Sequence, residues 1–421
     1  MINKRNSVIA LILLLAISAF FATTLPDTGF DYNFDKFFKP DDEATKYFQT
    51  HRDTFSTDND FILVGLVNNS GVLETDFLTK VEKLTADLEQ MPHVISVISP
   101  TNAKIRVREP LTGSIFERPL LTGKRQLDST RVFSDPSITE NLFSVDTAAI
   151  SIVAMTEEFL NKDNSDELAE SLNEVLSHYN FDGVHLSGRA IGQVVFIKKI
   201  QNEFVMFMSI AMAFVVVLLY IMFKSIRGVL LPLFTVLLAV VWSVGILNLS
   251  GKGISILLNM LPPVIFVVGM SDAVHLYSRY LEELKKGLSK KESIRLMTTD
   301  TGLATLLTSI TTSIGFASLW FTGIPALQEF GVLTAVGVLA AFIIAIVMMP
   351  ACLTLFSKPK KYLESANIKR WDGFLLTLFN AVTKNRKKVF IVTGTLSVLM
   401  IAVASTIDLN NYLLEDLKKS E

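Results

Sequence analysis

The stretch ISILLNMLPPVIFVVGMSDAVHLY, residues 254–277, decides how this chain is read, because it places ionisable side chains inside an apolar run long enough to cross a bilayer. Asp272 and His275 sit in it. A carboxylate at that depth costs roughly 2.5 kcal/mol or more, so it turns towards a protein interior or a water path. Residues three apart share a helical face, which puts His275 beside Asp272 with Ser271 adjacent. Pro262-Pro263 is expected to break the backbone ladder further up the helix. A titrating carboxylate, an imidazole one turn away and a hydroxyl are the parts of a proton relay.

Working outward, the composition agrees with a membrane protein. Of 421 residues 50% are hydrophobic and the formal net charge is −2, while the mean hydropathy of +0.43 exceeds what one soluble core requires. The near-neutral charge gives no reason to expect nucleic acid as a partner. Basic residues cluster beside apolar segments, where they set topology. Cys352, the only cysteine, lies in one of those segments and excludes an intramolecular disulfide.

Lys4 and Arg5 precede an apolar run over 8–25. A cleaved signal peptide and a retained first span both fit it, small residues at 16–24 serving as the cut in the first case. The far end of the chain favours the retained span. KNRKK at 384–388 precedes a second run over 389–404; residues 5–25 align with 386–406 without a gap, and FDYNFDKFF after the first resembles LNNYLLEDL after the second. The chain is expected to begin a second copy of itself near Asn385, with 407–421 opening a second soluble domain.

Between the first run and residue 200 charges are interspersed and no stretch spans a membrane. FILVGLV (61–67), an amphipathic helix over 75–90 and a strand over 93–98 are followed by AAISIVAM (148–155), a helix over 166–179 and a strand over 183–186. Two strand–helix–strand units predict an inserted α+β domain of the split βαβ, ferredoxin-like kind over 26–200. Residues 101–146 read as a flap, whose Lys104, Arg106, Arg108, Arg118, Lys124, Arg125 and Arg131 form either a solvated face or an anion site.

GRAIGQVVFIKKIQNEF (188–204) then leads straight into apolar sequence, so a helix is expected to leave the domain and enter the membrane. Five spans are predicted at 204–223, 228–249, 254–277, 301–321 and 330–356, followed by a linker over 358–388 and a seventh span over 389–406. Lys224, Arg227, Arg279, Lys285, Lys286, Lys290, Lys291, Arg295, Lys358, Lys360, Lys361, Lys369, Arg370 and the KNRKK cluster fall on one side, against Lys252 alone in the opposite short loops. That asymmetry makes the basic side cytoplasmic and the soluble domain extracytoplasmic.

FKSIRGVLLPL (223–233), LLNMLPPVIFVVGMSDAVHLYSRYLEELKKG (257–287), LLTSITTSIGFASLWFTGIPALQEFGVLTAVGVL (306–339) and MMPACLTLF (348–356) resemble, in order and spacing, the first half of resistance-nodulation-division (RND) transporters. The resemblance is strongest to the MMPL-type and hydrophobe-exporter branch, with Patched-like and sterol-sensing proteins more distant. It implies an exporter of hydrophobic or lipidic molecules in a bacterial inner membrane, driven by the proton motive force, with an extracytoplasmic porter domain. Protons, membrane lipids and a second homologous half, or another copy of the chain, are the implied partners. A half-transporter ending just inside a second repeat is expected; a half-size protein that dimerises is the alternative.

Carried onto this sequence, the resemblance makes Asp272 the intramembrane acid and His275 the branch's histidine. Much of the family writes an Asp-Tyr pair here, which puts Ser271 in the acid column and Asp272 in the tyrosine column. The alternative is an Asp272 that snorkels towards Arg279 or makes a structural hydrogen bond. The fifth predicted span offers Thr305, Thr308 and Thr312 on one face. Thr308 and Thr312 support the relay or bond their own helix's carbonyls. Gly302, Gly315, Gly331 and Gly337 read as close-packing positions. No nucleophile–base constellation, phosphate loop or metal-ligand cluster appears, and one Asp with one His is too few for zinc. The chain reads as no enzyme, with no cofactor. A lipid receptor on the same scaffold is the rival function, and it need not keep an acid in the membrane.

Overall fold

The computed structural model describes residues 3–27, 29, 34–55, 60–108, 114–120, 141–144, 146, 148–158, 162–358 and 368–406. They fall into two units, Met1–Lys358 and Pro359–Glu421. The first unit begins with α1 (Lys4–Thr23) and α2 (Glu43–Phe55) and continues through β1 (Phe61–Val67), α3 (Thr75–Glu89), β2 (Val94–Ile98), β3 (Lys104–Arg108), β4 (Ile115–Pro119), β5 (Ala149–Thr156), α4 (Lys162–Ser177) and β6 (Gly183–Gly188). Helices α5 (Arg189–Phe223), α6 (Ile226–Leu249), α7 (Leu261–Lys285), α8 (Lys290–Leu296), α9 (Gly302–Ala317) and α10 (Pro325–Leu355) complete it. The second unit holds α11 (Ile368–Lys384) and α12 (Arg386–Ala404).

Among the described residues seven helices are long and apolar enough to cross a membrane: α1, the Val205–Phe223 part of α5, α6, Leu258–Lys285, Lys290–Thr322, α10 and α12. The chain is a multi-pass membrane protein. Several boundaries differ from those read in the sequence, among them the start of α10, at Pro325 where 330 was expected. The span around Asp272 opens with a 3-10 turn, Leu258–Met260, and runs to Lys285. Pro262-Pro263 falls in the first turn of α7, where the missing N–H is not needed, so the pair starts the helix instead of breaking it. The next span starts early because Ser289 and Glu292 form a helix-opening pair, the Ser289 hydroxyl accepting from the Glu292 N–H at 3.2 Å. A π turn over Met297–Thr301 joins that short helix to α9. In the second unit, the expected 358–388 linker contains α11, whose Leu375, Leu376, Leu378 and Phe379 are exposed.

α1 packs as a member of the bundle. The Trp242 indole N–H donates to Ser18 Oγ at 2.8 Å, and Asn248 Nδ2 donates to the Thr24 carbonyl at 2.7 Å. Phe21 fits over Gly245, where a Cβ would lie 2.5 Å from its ring. Small residues likewise bring α10 against its neighbours: a Cβ at Gly337 would meet Ile265 and Ser243, and one at Gly331 the Phe316 carbonyl at 2.4 Å. Gly302 abuts Ile346. A Cβ at Gly315 would meet nothing within 4 Å among the described residues, so Gly315 is not a packing position within this bundle.

The inserted domain is built by strand alternation. Every second residue of β1 (Ile62, Val64, Leu66) and of β5 (Ile150, Ile152, Ala154) is at most 1% exposed, which fits one covered face. Leu78, Val81, Leu84 and Leu88 of α3 and Leu168 and Leu172 of α4 share their core. Burial stabilises each large side chain by roughly 1.5–3 kcal/mol. The sheet order is β2-β5-β1-β6 and all three pairings are antiparallel. In chain order that is second, third, first and fourth strand, the arrangement of a split βαβ sandwich. The flap contains a hairpin that the sequence reading left out, β3 with β4, anchored by a bond from the Leu120 N–H to the Ala103 carbonyl at 2.8 Å. Lys104 pairs with Glu117 across it at 3.8 Å. The side chains of Arg106 and Arg108, and Lys124, Arg125 and Arg131 entirely, lie outside the described residues.

A glycine makes the joint between sheet and membrane. Gly188 has φ +122°, and a Cβ there would sit 2.2 Å from the Phe61 carbonyl oxygen, so only glycine lets β6 turn directly into α5. Beside it, Asp60 receives Arg52 of α2 at 2.9 Å and Arg189 of α5 at 3.5 Å. α5 then continues for 35 residues without a break, about 50 Å at 1.5 Å per residue. At this end of the bundle Glu329 pairs with Lys252 at 2.9 Å and Lys36 at 3.5 Å.

Candidate functional site

α7 forms around Asp272 because its apolar residues recur at helical spacing, and Ile265, Phe266, Ala273, Leu276 and Tyr280 are all at most 2% exposed. Gly269 lets Val236 of α6 and Ala341 of α10 approach one turn before the acid. Asp272 is thereby buried, at 4% exposure. The Ser309 hydroxyl of α9 donates to its Oδ2 at 3.0 Å. No salt bridge reaches Asp272 among the described residues. Arg279, the cation within snorkelling reach in the sequence, is engaged by Glu283 at 3.0 Å, Glu282 at 3.6 Å and Asp300 at 3.8 Å.

The other sequence-derived residues divide into two sets. Ser271 and His275 are on α7 but exposed, and no direct hydrogen bond joins His275 to Asp272. The hydroxyls of Thr308 and Thr312 donate to carbonyls of their own helix, Thr305 O at 2.9 Å and Thr308 O at 2.8 Å. Thr305 is buried and bonds the Thr301 and Gly302 carbonyls. The residue that meets Asp272 is Ser309, which the threonine pattern passed over. A different signal marks it: Gly302, Thr305, Ser309 and Ser313 recur every three or four residues and are the buried positions of α9. Ser313 continues that stripe onto α10, donating to the Ala335 carbonyl at 3.0 Å.

Asp272 and its α9 partner fall within the MMPL family model, which matches residues 36–377. The chain belongs to the MMPL family. Among similar proteins are the membrane protein MJ1562 of Methanocaldococcus jannaschii, 27% identical over 34% of this chain and 36% of that protein, and the membrane protein YdfJ of Bacillus subtilis, 28% identical over 47% and 27% respectively. The sulfolipid-1 exporter MmpL8 of Mycobacterium tuberculosis is 29% identical over 33% of this chain and 13% of its own length. The matched stretches span about a third or less of these relatives. Two acids of the Leu258–Lys285 span are buried: Glu283 is paired with Arg279 and Lys286, whereas Asp272 lies where α7 meets α9 and is held by Ser309.

Proposed function

We propose that this MMPL chain is part of an exporter of hydrophobic or lipidic molecules driven by the proton motive force, with Asp272 as the coupling acid. One observation carries the reading: a carboxylate 4% exposed inside a membrane-spanning bundle, held by a hydroxyl and in no salt bridge among the described residues. Its burial costs free energy that a purely structural side chain would avoid. The name of MmpL8, a sulfolipid-1 exporter, supports a lipidic substrate class. Ser271, His275, Thr308 and Thr311 are polar positions of membrane spans that face outward. Such residues call for cover by protein or water, which supports a second homologous half or a second copy against α7 and α9. His275 then serves the relay from that interface. The basic-residue asymmetry supports a cytoplasmic location for Lys4, Arg227 and Lys290, and with it an extracytoplasmic sheet domain that handles substrate.

The test is Asp272→Asn in vesicles with an imposed pH gradient, reading internal pH with a dye and lipid movement with a fluorescent phospholipid. Asn keeps the size and an acceptor for Ser309 but cannot titrate. Gradient-driven movement should fall to background while insertion and yield stay normal, and Asp272→Glu should retain part of the activity. Normal transport by Asp272→Asn would leave Asp272 a packing residue.

A further inference from the structure

At the end of the bundle remote from the sheet domain, the spans Lys4–Thr23 and Lys290–Thr322 begin and Pro325–Leu355 ends. Between them lies a cleft of about 1050 Å³ lined by Lys4, Lys290, Lys291, Arg295, Glu292 and Thr354. Because three spans terminate around it, the cleft sits where hydrocarbon gives way to headgroups. Four cations and one carboxylate face it, and Glu292 is already paired with Arg295 at 3.8 Å. Lys290 is fixed at the back wall, donating to the Thr354 carbonyl at 2.8 Å and the Phe356 carbonyl at 2.6 Å, orphan acceptors at the end of α10. Lys4 and Lys291 have no acidic partner among the described residues. Basic residues beside a span are ordinary topology signals on a convex, solvated surface. Here they converge on a concavity from two helices, which focuses positive potential and leaves like charges to repel one another until an anion enters.

We propose that this cleft binds a phosphate-bearing anion at the membrane surface. The site is separate from Asp272 and from the transport reading, and stands or falls without either. Two sources share the chemistry, an anionic phospholipid headgroup and free phosphate. The test uses the full chain in nanodiscs, with retained lipid read by native mass spectrometry. In mixed discs the protein should retain phosphatidylglycerol over phosphatidylcholine. At roughly fivefold per basic residue near a surface, Lys4→Gln/Lys291→Gln/Arg295→Gln should weaken retention on the order of a hundredfold. Lys291→Gln alone, at an exposed position that leaves the fold intact, should cost about fivefold. The control Lys384→Gln/Lys387→Gln/Lys388→Gln removes the same charge beside another span, in the second unit, and should cost clearly less than the triple variant. Inorganic phosphate, added to the protein in pure phosphatidylcholine discs, separates the sources. A rise in unfolding temperature that Lys291→Gln diminishes assigns the cleft to free phosphate, whereas no rise beside selective phosphatidylglycerol retention assigns it to the headgroup. Retention and phosphate response both unchanged in the triple variant and Lys291→Gln, or an equal loss in the control, would overturn the proposal.

Discussion

Replacing Asp60 by Asn should loosen the joint between the sheet domain and the membrane. The carboxylate is 5% exposed and Arg52 8%, so the 2.9 Å pair they form is largely shielded from water. Breaking a buried pair by removing one partner costs about 3–5 kcal/mol, because the remaining charge stays desolvated. The Arg189 contact, at 3.5 Å and with that side chain 23% exposed, adds little through solvent. The expected loss is therefore about 3 kcal/mol, felt where the three elements meet. Hydrogen exchange read by mass spectrometry on the full chain in detergent reports it locally. At 1.4 kcal/mol per factor of ten, amides of β1, β5 and the first turns of α5 should exchange on the order of a hundredfold faster, the Thr156 N–H that donates to the Asp60 carbonyl among them. Amides of α6 and α10 should be unaffected. Replacing both charges with apolar groups, Asp60→Leu with Arg52→Met, should recover part of the protection. Exchange in β1 and α5 within about threefold of the wild type would refute the reasoning, since a shielded pair cannot be lost for less than about 1 kcal/mol.

Three further outcomes are expected. Ser309→Ala removes the donor to Asp272 and should lower gradient-driven transport by about ten- to a hundredfold, since a hydrogen bond to a charged group contributes about 1.5–3 kcal/mol; Thr308→Val and Thr312→Val, whose hydroxyls bond their own helix, should transport nearly normally in the same vesicles. His93 lies between Glu157, at 2.9 Å from Nδ1, and Glu167, at 3.5 Å from Nε2, and the Glu157 hydrogen bond lifts its pKa above the ordinary 6.5. A folded-state pKa raised in this way contributes stability that is complete below about pH 6.5 and disappears as pH rises through the lifted value. Protection of β2 and α4 against exchange should accordingly weaken on going from mildly acid to alkaline solution, and His93→Gln should flatten that dependence. A reporter active only outside the cytoplasm should be active when fused at Asn141 and silent at Lys286; the reverse at either position would sink the proposed orientation.

How much of this was legible in the sequence follows from which interactions are local. Apolar runs the length of a bilayer mark spans whatever they pack against, and seven were readable. FILVGLV and AAISIVAM declare strands, because period-two burial is written into consecutive residues. The order of those strands and helices restricted the domain to few topologies. Boundaries were less legible: Pro262-Pro263 looks like a break until the chain is seen to enter α7 there, and Ser289 with Glu292 signals a helix start only when weighed as a pair. The hairpin of β3 and β4 was hidden in a stretch rich in turn residues, since its pairing and its seat under Leu120 are made by contacts across the fold.

The sequence by itself determined that Asp272 lies in a membrane span, that His275 is three residues on, and that hydroxyls crowd the next span, because helical spacing is set by the backbone. Only the tertiary structure decided which hydroxyl meets the acid. Thr308 and Ser309 are adjacent in the chain yet about 100° apart around α9, and the packing of α9 on α7 and α10 turns Gly302, Thr305, Ser309 and Ser313 inward while Thr308 faces out. Which face of a helix is buried depends on its neighbours' shapes, and with hydroxyls at 305, 308, 309, 311, 312 and 313 spread around α9 no single polar face writes that choice into the sequence.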